Sequence, residues 1–239
     1  TATIGFDHID IDYCKQAGIE WVNAPGCNAE SVNQNISSAL FSYSKRNDFA
    51  LKGKTIGGVG VGHVGSRVAR TCEILGMYVL LTVPPRERRE GSDQFVPRQT
   101  IREQSDIISF HVPLNMDGAD KTFHMVNSGF LNGLGKNPVL INTCRGEVFE
   151  SKAVRDARLA GDLSGLIIDC WENEPDIDLK LLDLVDFATP HIAGYSKDGK
   201  ANGTTASVRA ISRHFGLGID DWQPASVEVP GSPIIQLAG

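Results

Sequence analysis

Thr55-Ile56-Gly57-Gly58-Val59-Gly60-Val61-Gly62-His63-Val64-Gly65 is an apolar run that passes into a G-x-G-x-x-G string at 60–65. Glycine-rich hexamers occur in many loops, so the string alone is weak and its context decides. A strand-like run at 55–59 precedes it, and Val64, Val68, Cys72 and Leu75 follow at helical spacing. In such a strand–turn–helix unit each glycine has its own task. Gly60 permits the tight turn, Gly62 lets backbone approach a pyrophosphate, and Gly65 lets the helix pack close to the strand. The helix start, at His63 and Val64, offers unpaired N–H groups and partial positive charge to phosphates.

Further strand-like runs lie at 78–82, 107–110, 139–141, 165–168 and 187–189, with amphipathic segments between several of them. That alternation implies right-handed crossovers and a parallel sheet, an α/β doubly wound Rossmann-type fold. The strands are short and mostly apolar, as in sheets covered by helices on both faces. Asn28-Ala29-Glu30-Ser31 can cap a helix reaching about Tyr43, and Ser196 or Asp198 can start another reaching about Phe215; the domain hinges fall at these two helices. The polar stretch 86–94 reads as an exposed loop or a frayed helix start.

The 239 residues are 41% hydrophobic with a net charge of -6, ordinary globular material whose acidity argues against nucleic acid. No apolar run reaches the roughly 18 residues of a membrane span, and no signal peptide is visible. Five cysteines without C-x-x-C spacing point to reduced thiols in a cytoplasmic protein. No histidine set has metal-ligand spacing, so no metal is assigned, and the absence of Gly-x-Ser-x-Gly disfavours a serine hydrolase.

A nucleotide-binding βαβ unit usually has an acid about 20 residues beyond its glycines to hold the ribose hydroxyls. Here that position is Val83, followed by Pro84-Pro85 and the basic Arg86, Arg88 and Arg89. NAD is the expected cofactor. An Arg there can also accommodate a 2′-phosphate, so NADP stays open beside the plainer reading of a solvated basic loop. Three later segments carry the chemistry. Arg145 follows the run 139–141, Glu174 follows 165–168, and His191 follows 187–189, which puts all three at the carboxyl edge of the sheet, where open α/β sheets bind ligands. An Arg fork suits a carboxylate and its neighbouring carbonyl. A His suits proton transfer near neutral pH, and a carboxylate on its second nitrogen fixes the tautomer.

With these residues the chain resembles the D-isomer-specific 2-hydroxyacid dehydrogenases over nearly its whole length. The resemblance is carried by 1–10 (TATIGFDHID), 23–29 (NAPGCNA), 171–175 (WENEP) and 189–196 (TPHIAGYS) with Asp198-Gly199-Lys200. The Pro-Gly-Cys-Asn-Ala and Ala-Gly-Tyr-Ser segments point to members that act on a phosphorylated four-carbon 2-hydroxy acid in vitamin B6 biosynthesis. Relatives that reduce glyoxylate or oxidise phosphoglycerate, and non-catalytic NAD(H)-sensing modules, share the fold.

The resemblance implies Arg145, Glu174 and His191 as the catalytic three. It implies Gly60, Gly62, His63, Val64, Gly65, Val83, Val112, Thr143, Cys144, Arg145, Asp169 and Gly194 at the cofactor, and Thr3 and Tyr195 at the phosphorylated substrate. It also implies a homodimeric full-length protein with no nucleic-acid or membrane partner. Its domain plan gives 1–30 as a remnant of a smaller substrate domain and 31–195 as the dinucleotide-binding domain. A return helix occupies 196–222, and 223–239 begins a dimerisation domain, so the sequence reads as truncated at both ends. The chain departs from the family at Val83, at Glu150 where Asp is usual, and at Gly58 within an apolar strand. A mid-strand Gly costs about 0.5–1 kcal/mol relative to Ala.

Overall fold

The computed structural model describes residues 1–91 and 94–227. It contains two compact units, one of Thr1–Asn28 with Tyr195–Gly239 and the other of Ala29–Gly194. From residue 228 onward, the stretch expected to begin a dimerisation domain lies outside the described residues.

In the unit Ala29–Gly194, six strands form one parallel sheet: β1 (Thr55–Val59), β2 (Tyr78–Thr82), β3 (Ile107–Phe110), β4 (Val139–Asn142), β5 (Gly165–Ile168) and β6 (Phe187–Ala188). Their order is β2-β1-β3-β4-β5-β6. The order reverses between β1 and β3, which opens a crevice at their carboxyl ends. Successive side chains of a strand point to opposite faces, and both faces here are covered. Ile108, Phe110, Leu140, Leu166 and Ile168 join one core, while Ile56, Ile107, Val139, Ile141 and Ile167 join the other. Each such aliphatic side chain contributes about 1.5–3 kcal/mol by burial. This two-sided burial is why the strands read as unbroken apolar runs.

Helix α2 (Ala29–Asn47) and helix α3 (His63–Ile74) cover one face. Val32, Ile36, Leu40 and Tyr43 form the buried stripe of α2. The helix outlasts that stripe by a polar turn, Ser44 to Asn47, whose Lys45 and Arg46 suit a helix C-terminus. Tyr43 fits because Gly165 has no side chain: a Cβ there would meet the Tyr43 ring, whose hydroxyl donates to Ser164 O at 2.9 Å. The other face is covered by α5 (Arg98–Gln104), α6 (Ser128–Leu131) and α7 (Ser151–Ala160), with the short α8 (Leu179–Leu182) at its edge.

Of the two expectations for 86–94, an exposed loop or a frayed helix start, the structure shows a helix, and it begins before that stretch. Pro84–Glu90 is a helix, α4, with Pro at its first positions and Gly91 closing it at φ 57°. Proline pre-sets φ for a first helical turn, and Arg86 and Glu90 pair across one turn at 2.9 Å.

In the other unit, α1 (Ile11–Gln16) starts at Asp10, which accepts from Tyr13 N, and α9 (Lys197–Phe215) starts at Ser196, which accepts from Gly199 N. Gly203 of α9 lies so close to the Ala2 carbonyl that a Cβ would strike it. Among the described residues, no helix is long and apolar enough to cross a membrane.

Candidate active site

The glycine-rich turn is built as its sequence requires. Gly60 has φ +94°, and a Cβ on it would run into the carbonyl of His111, just past β3. Gly65 lies against the Gly60 carbonyl, so α3 seats directly on the turn. Gly62 caps α3 without any side-chain hydrogen bond, and a Cβ added to it would meet nothing within 4 Å. Bare backbone at Gly62 thus faces open space at the start of α3, where the first N–H groups of a helix have no intrahelical acceptor, as a pyrophosphate needs.

A second observation agrees. Four buried side-chain atoms among the described residues lack a hydrogen-bond partner. Three of them, Thr82 Oγ1, His111 Nδ1 and Thr143 Oγ1, sit at the carboxyl ends of β2, β3 and β4. Such groups need a partner from outside the chain, water or a ligand, and three of them at one sheet edge fit the polar atoms of a dinucleotide. Val83 caps α4 at the end of β2. Val112 follows His111 and makes a backbone hydrogen bond to the Cys144 thiol, which burial pushes up.

Arg145 is placed by Asn142, the fully buried last residue of β4. Its amide donates to Arg145 O at 2.9 Å and to Cys170 O at 3.3 Å, while its oxygen accepts from Cys144 N at 3.2 Å. The adjacent Gly146 packs backbone-to-backbone on Trp171 and Glu172. The loop after β4 is therefore fitted to the loop after β5.

Glu174 and His191 meet. Nδ1 of His191 lies 2.8 Å from Glu174 Oε2, and Glu174 Oε1 accepts from Trp171 N at 2.7 Å. A proton on Nδ1, donated to the carboxylate, leaves Nε2 of this half-exposed imidazole as the acceptor. His191 itself takes φ 55°, a left-handed conformation costly for a residue with a Cβ.

Asp169, expected at the cofactor, is what holds His191 there. Its buried carboxylate accepts from Thr189 Oγ1 (2.5 Å), Ile192 N (2.8 Å) and Ala193 N (3.0 Å), and its carbonyl accepts from His191 N at 2.8 Å. Gly194 ends this loop. Thr3 and Tyr195 fall in the other unit. There Thr3 Oγ1 donates to Gly5 O, and Lys200 Nζ stands 3.4 Å above the exposed Tyr195 ring.

Sequence reasoning missed three members. Asn142 is one; a polar residue closing an apolar strand was the available signal. The others are His124 and Glu172, 48 residues apart and hydrogen-bonded through Nε2 and Oε1. Glu172 Oε2 also accepts from Ser151 N at 2.9 Å and so caps α7. Glu150, where the family has Asp, makes no side-chain cap bond of its own. These contacts hold the Glu172 carboxyl below its usual range against the upward push of burial.

An NAD-binding fold serves many proteins, and an Arg, Glu and His at one sheet edge narrows the choice. The sequence description of the D-isomer specific 2-hydroxyacid dehydrogenase NAD binding domain matches residues 27–193. The chain belongs to that family. Among curated relatives of these dehydrogenases, the erythronate-4-phosphate dehydrogenase of Bacteroides fragilis is 53% identical over 92% of this chain and 63% of its own length. That of Bacteroides thetaiotaomicron is 49% identical over 99% of this chain and 67% of its own. The chain thus spans about two thirds of the curated relatives it matches. In structure it resembles the D-lactate dehydrogenase of Aquifex aeolicus complexed with NAD and lactic acid, at 29% identity and a TM-score of 0.76 over 92% of this chain and 76% of that one.

Proposed function

We propose that this chain carries the chemistry of an erythronate-4-phosphate dehydrogenase, oxidising 4-phospho-D-erythronate at C2 in pyridoxal 5′-phosphate biosynthesis. The observation that carries the chemistry is the Glu174–His191 pair, 2.8 Å apart, on the same sheet edge as Arg145. The choice of substrate follows the curated relatives at 49–53% identity.

His191 Nε2 takes the proton of the substrate hydroxyl while the C2 hydrogen leaves as hydride and the carbonyl forms. Glu174 supports the imidazolium that results. Arg145 holds the carboxylate and the developing carbonyl oxygen. NAD, when bound, supplies the hydride acceptor. Gly62 and the first N–H groups of α3 receive its pyrophosphate, and Thr143 and Val112 line its approach. Asp169 serves by fixing His191. The family resemblance assigns Thr3 and Tyr195 to the phosphorylated end of the substrate. The reading includes a homodimeric full-length protein in the cytoplasm, where the five free cysteines are at home.

A substrate panel with 4-phosphoerythronate, glycerate 3-phosphate and glycolate tests the specificity. Preference for either of the last two replaces this substrate with another of the family. His191→Ala tests the base. Turnover is expected to fall about 10²–10⁴-fold with nucleotide binding retained, and unchanged turnover removes His191 from the mechanism.

A further inference from the structure

We infer that Glu90, through its hold on Arg86, sets the chain's preference for NADH over NADPH. The inference rests on the nicotinamide-cofactor reading above.

Selection against a 2′-phosphate normally needs a carboxylate at the end of the second strand, which accepts the ribose hydroxyls and repels the phosphate. Val83 stands there, so selectivity has to come from elsewhere or be absent. The structure places a guanidinium in the gap. Arg86 Nη1 donates to the carbonyl of Val61 at 3.2 Å, and Val61 is the second residue of the glycine-rich turn. Arg86 also lies over the Phe95 ring, 5.2 Å from its centroid. The guanidinium is therefore tethered between the end of β2 and the turn, beside the place where a ribose enters such a fold.

A free Arg in that place would recruit a 2′-phosphate, and Arg86 is not free. Its Nε and Nη2 are both turned to Glu90, at 3.2 and 2.9 Å. Arg89 adds a bond to the same carboxylate at 2.6 Å. Arg88 is spent on Asp120. All three arginines are thus engaged by carboxylates, Arg86 and Arg89 by Glu90 and Arg88 by Asp120. Hydrogen bonds from Arg86 and Arg89 hold the Glu90 carboxyl down to about 2, so it stays ionised at any working pH. Where an acid at position 83 elsewhere excludes the phosphate directly, Glu90 acts from the far end of α4 by withholding the guanidinium that would receive it.

The test is fluorescence titration of NADH and NADPH into the full chain, its Glu90→Gln variant, and Glu90→Gln combined with Arg86→Ala. The wild type is expected to prefer NADH. Glu90→Gln should move the ratio of the two dissociation constants toward NADPH by about tenfold or more, the effect of one new charge-assisted hydrogen bond from Arg86 to the 2′-phosphate. Arg86→Ala in that background should take the shift away. The shift should shrink in 1 M salt, since these charges are exposed. An unchanged ratio in Glu90→Gln, with NADH still bound, overturns the role of Glu90 and leaves the cofactor reading standing. Binding of neither nucleotide by the wild type overturns the cofactor reading and this inference with it.

Discussion

Glu174 Oε2 and His191 Nδ1 stand 2.8 Å apart across 17 residues of sequence, with Trp171 N holding the other carboxylate oxygen at 2.7 Å. Glu174→Gln keeps the shape but loses the charge that balances an imidazolium. Turnover is expected to drop about 10²–10³-fold, less than the upper range for losing the base itself, with NADH affinity within twofold of wild type. Steady-state kinetics and fluorescence titration separate the two, and full activity in the variant would show that the pair is structural.

Asp169 holds three donors of the His191 loop in a buried place. An Asn there turns an NH2 toward groups that also donate. Asp169→Asn is expected to destabilise the chain by about 2–3 kcal/mol and to slow turnover as His191 relaxes from φ 55°. Urea unfolding gives the first effect and kcat the second.

The three glycines of the turn separate folding from binding. Gly62→Ala adds a methyl group to open space, so thermal stability should stay within about 2 °C while NADH affinity falls at least about tenfold, roughly the 1.4 kcal/mol of a blocked contact. Gly65→Ala drives a Cβ into the Gly60 carbonyl, and stability itself should collapse. Equal thermal losses in the two variants would contradict this division.

His111 makes the carboxyl end of β3 acid-sensitive. Burial pushes its imidazole from the usual 6.5 down to about 4. The folded state thus resists a proton that the unfolded chain accepts. The neutral ring's contribution is whole above pH 6.5 and is lost as pH falls from there toward 4. The loss is on the order of 3 kcal/mol. Urea midpoints at pH 7.0 and 4.5 measure it, and His111→Gln, which cannot titrate, should flatten the difference.

The elements with purely local causes were readable from the sequence. Apolar strands, the glycine turn and the start of α9 at Ser196 each depend on a few neighbouring residues. The sheet edge shared by Arg145, Glu174 and His191 was readable too, because each residue follows a strand and parallel strands end together. Helix α4 was legible only as one of two options, since the polar run 86–94 fits a loop as well as a helix start until an Arg–Glu pair one turn apart is set in place. The grip of Asp169 on the His191 loop was hidden because its partners lie 20 to 24 residues away. His124 and Glu172, 48 residues apart, left no local trace at all.

Because one Glu172 oxygen caps α7 and the other holds His124, the segment that carries Glu172 and Glu174 cannot move away from Ser151 without uncapping α7. Release of that loop and loss of the α7 cap are coupled through one hydrogen bond. Exchange of the Ser151 amide with deuterated water therefore reports how often Glu172 releases the start of α7.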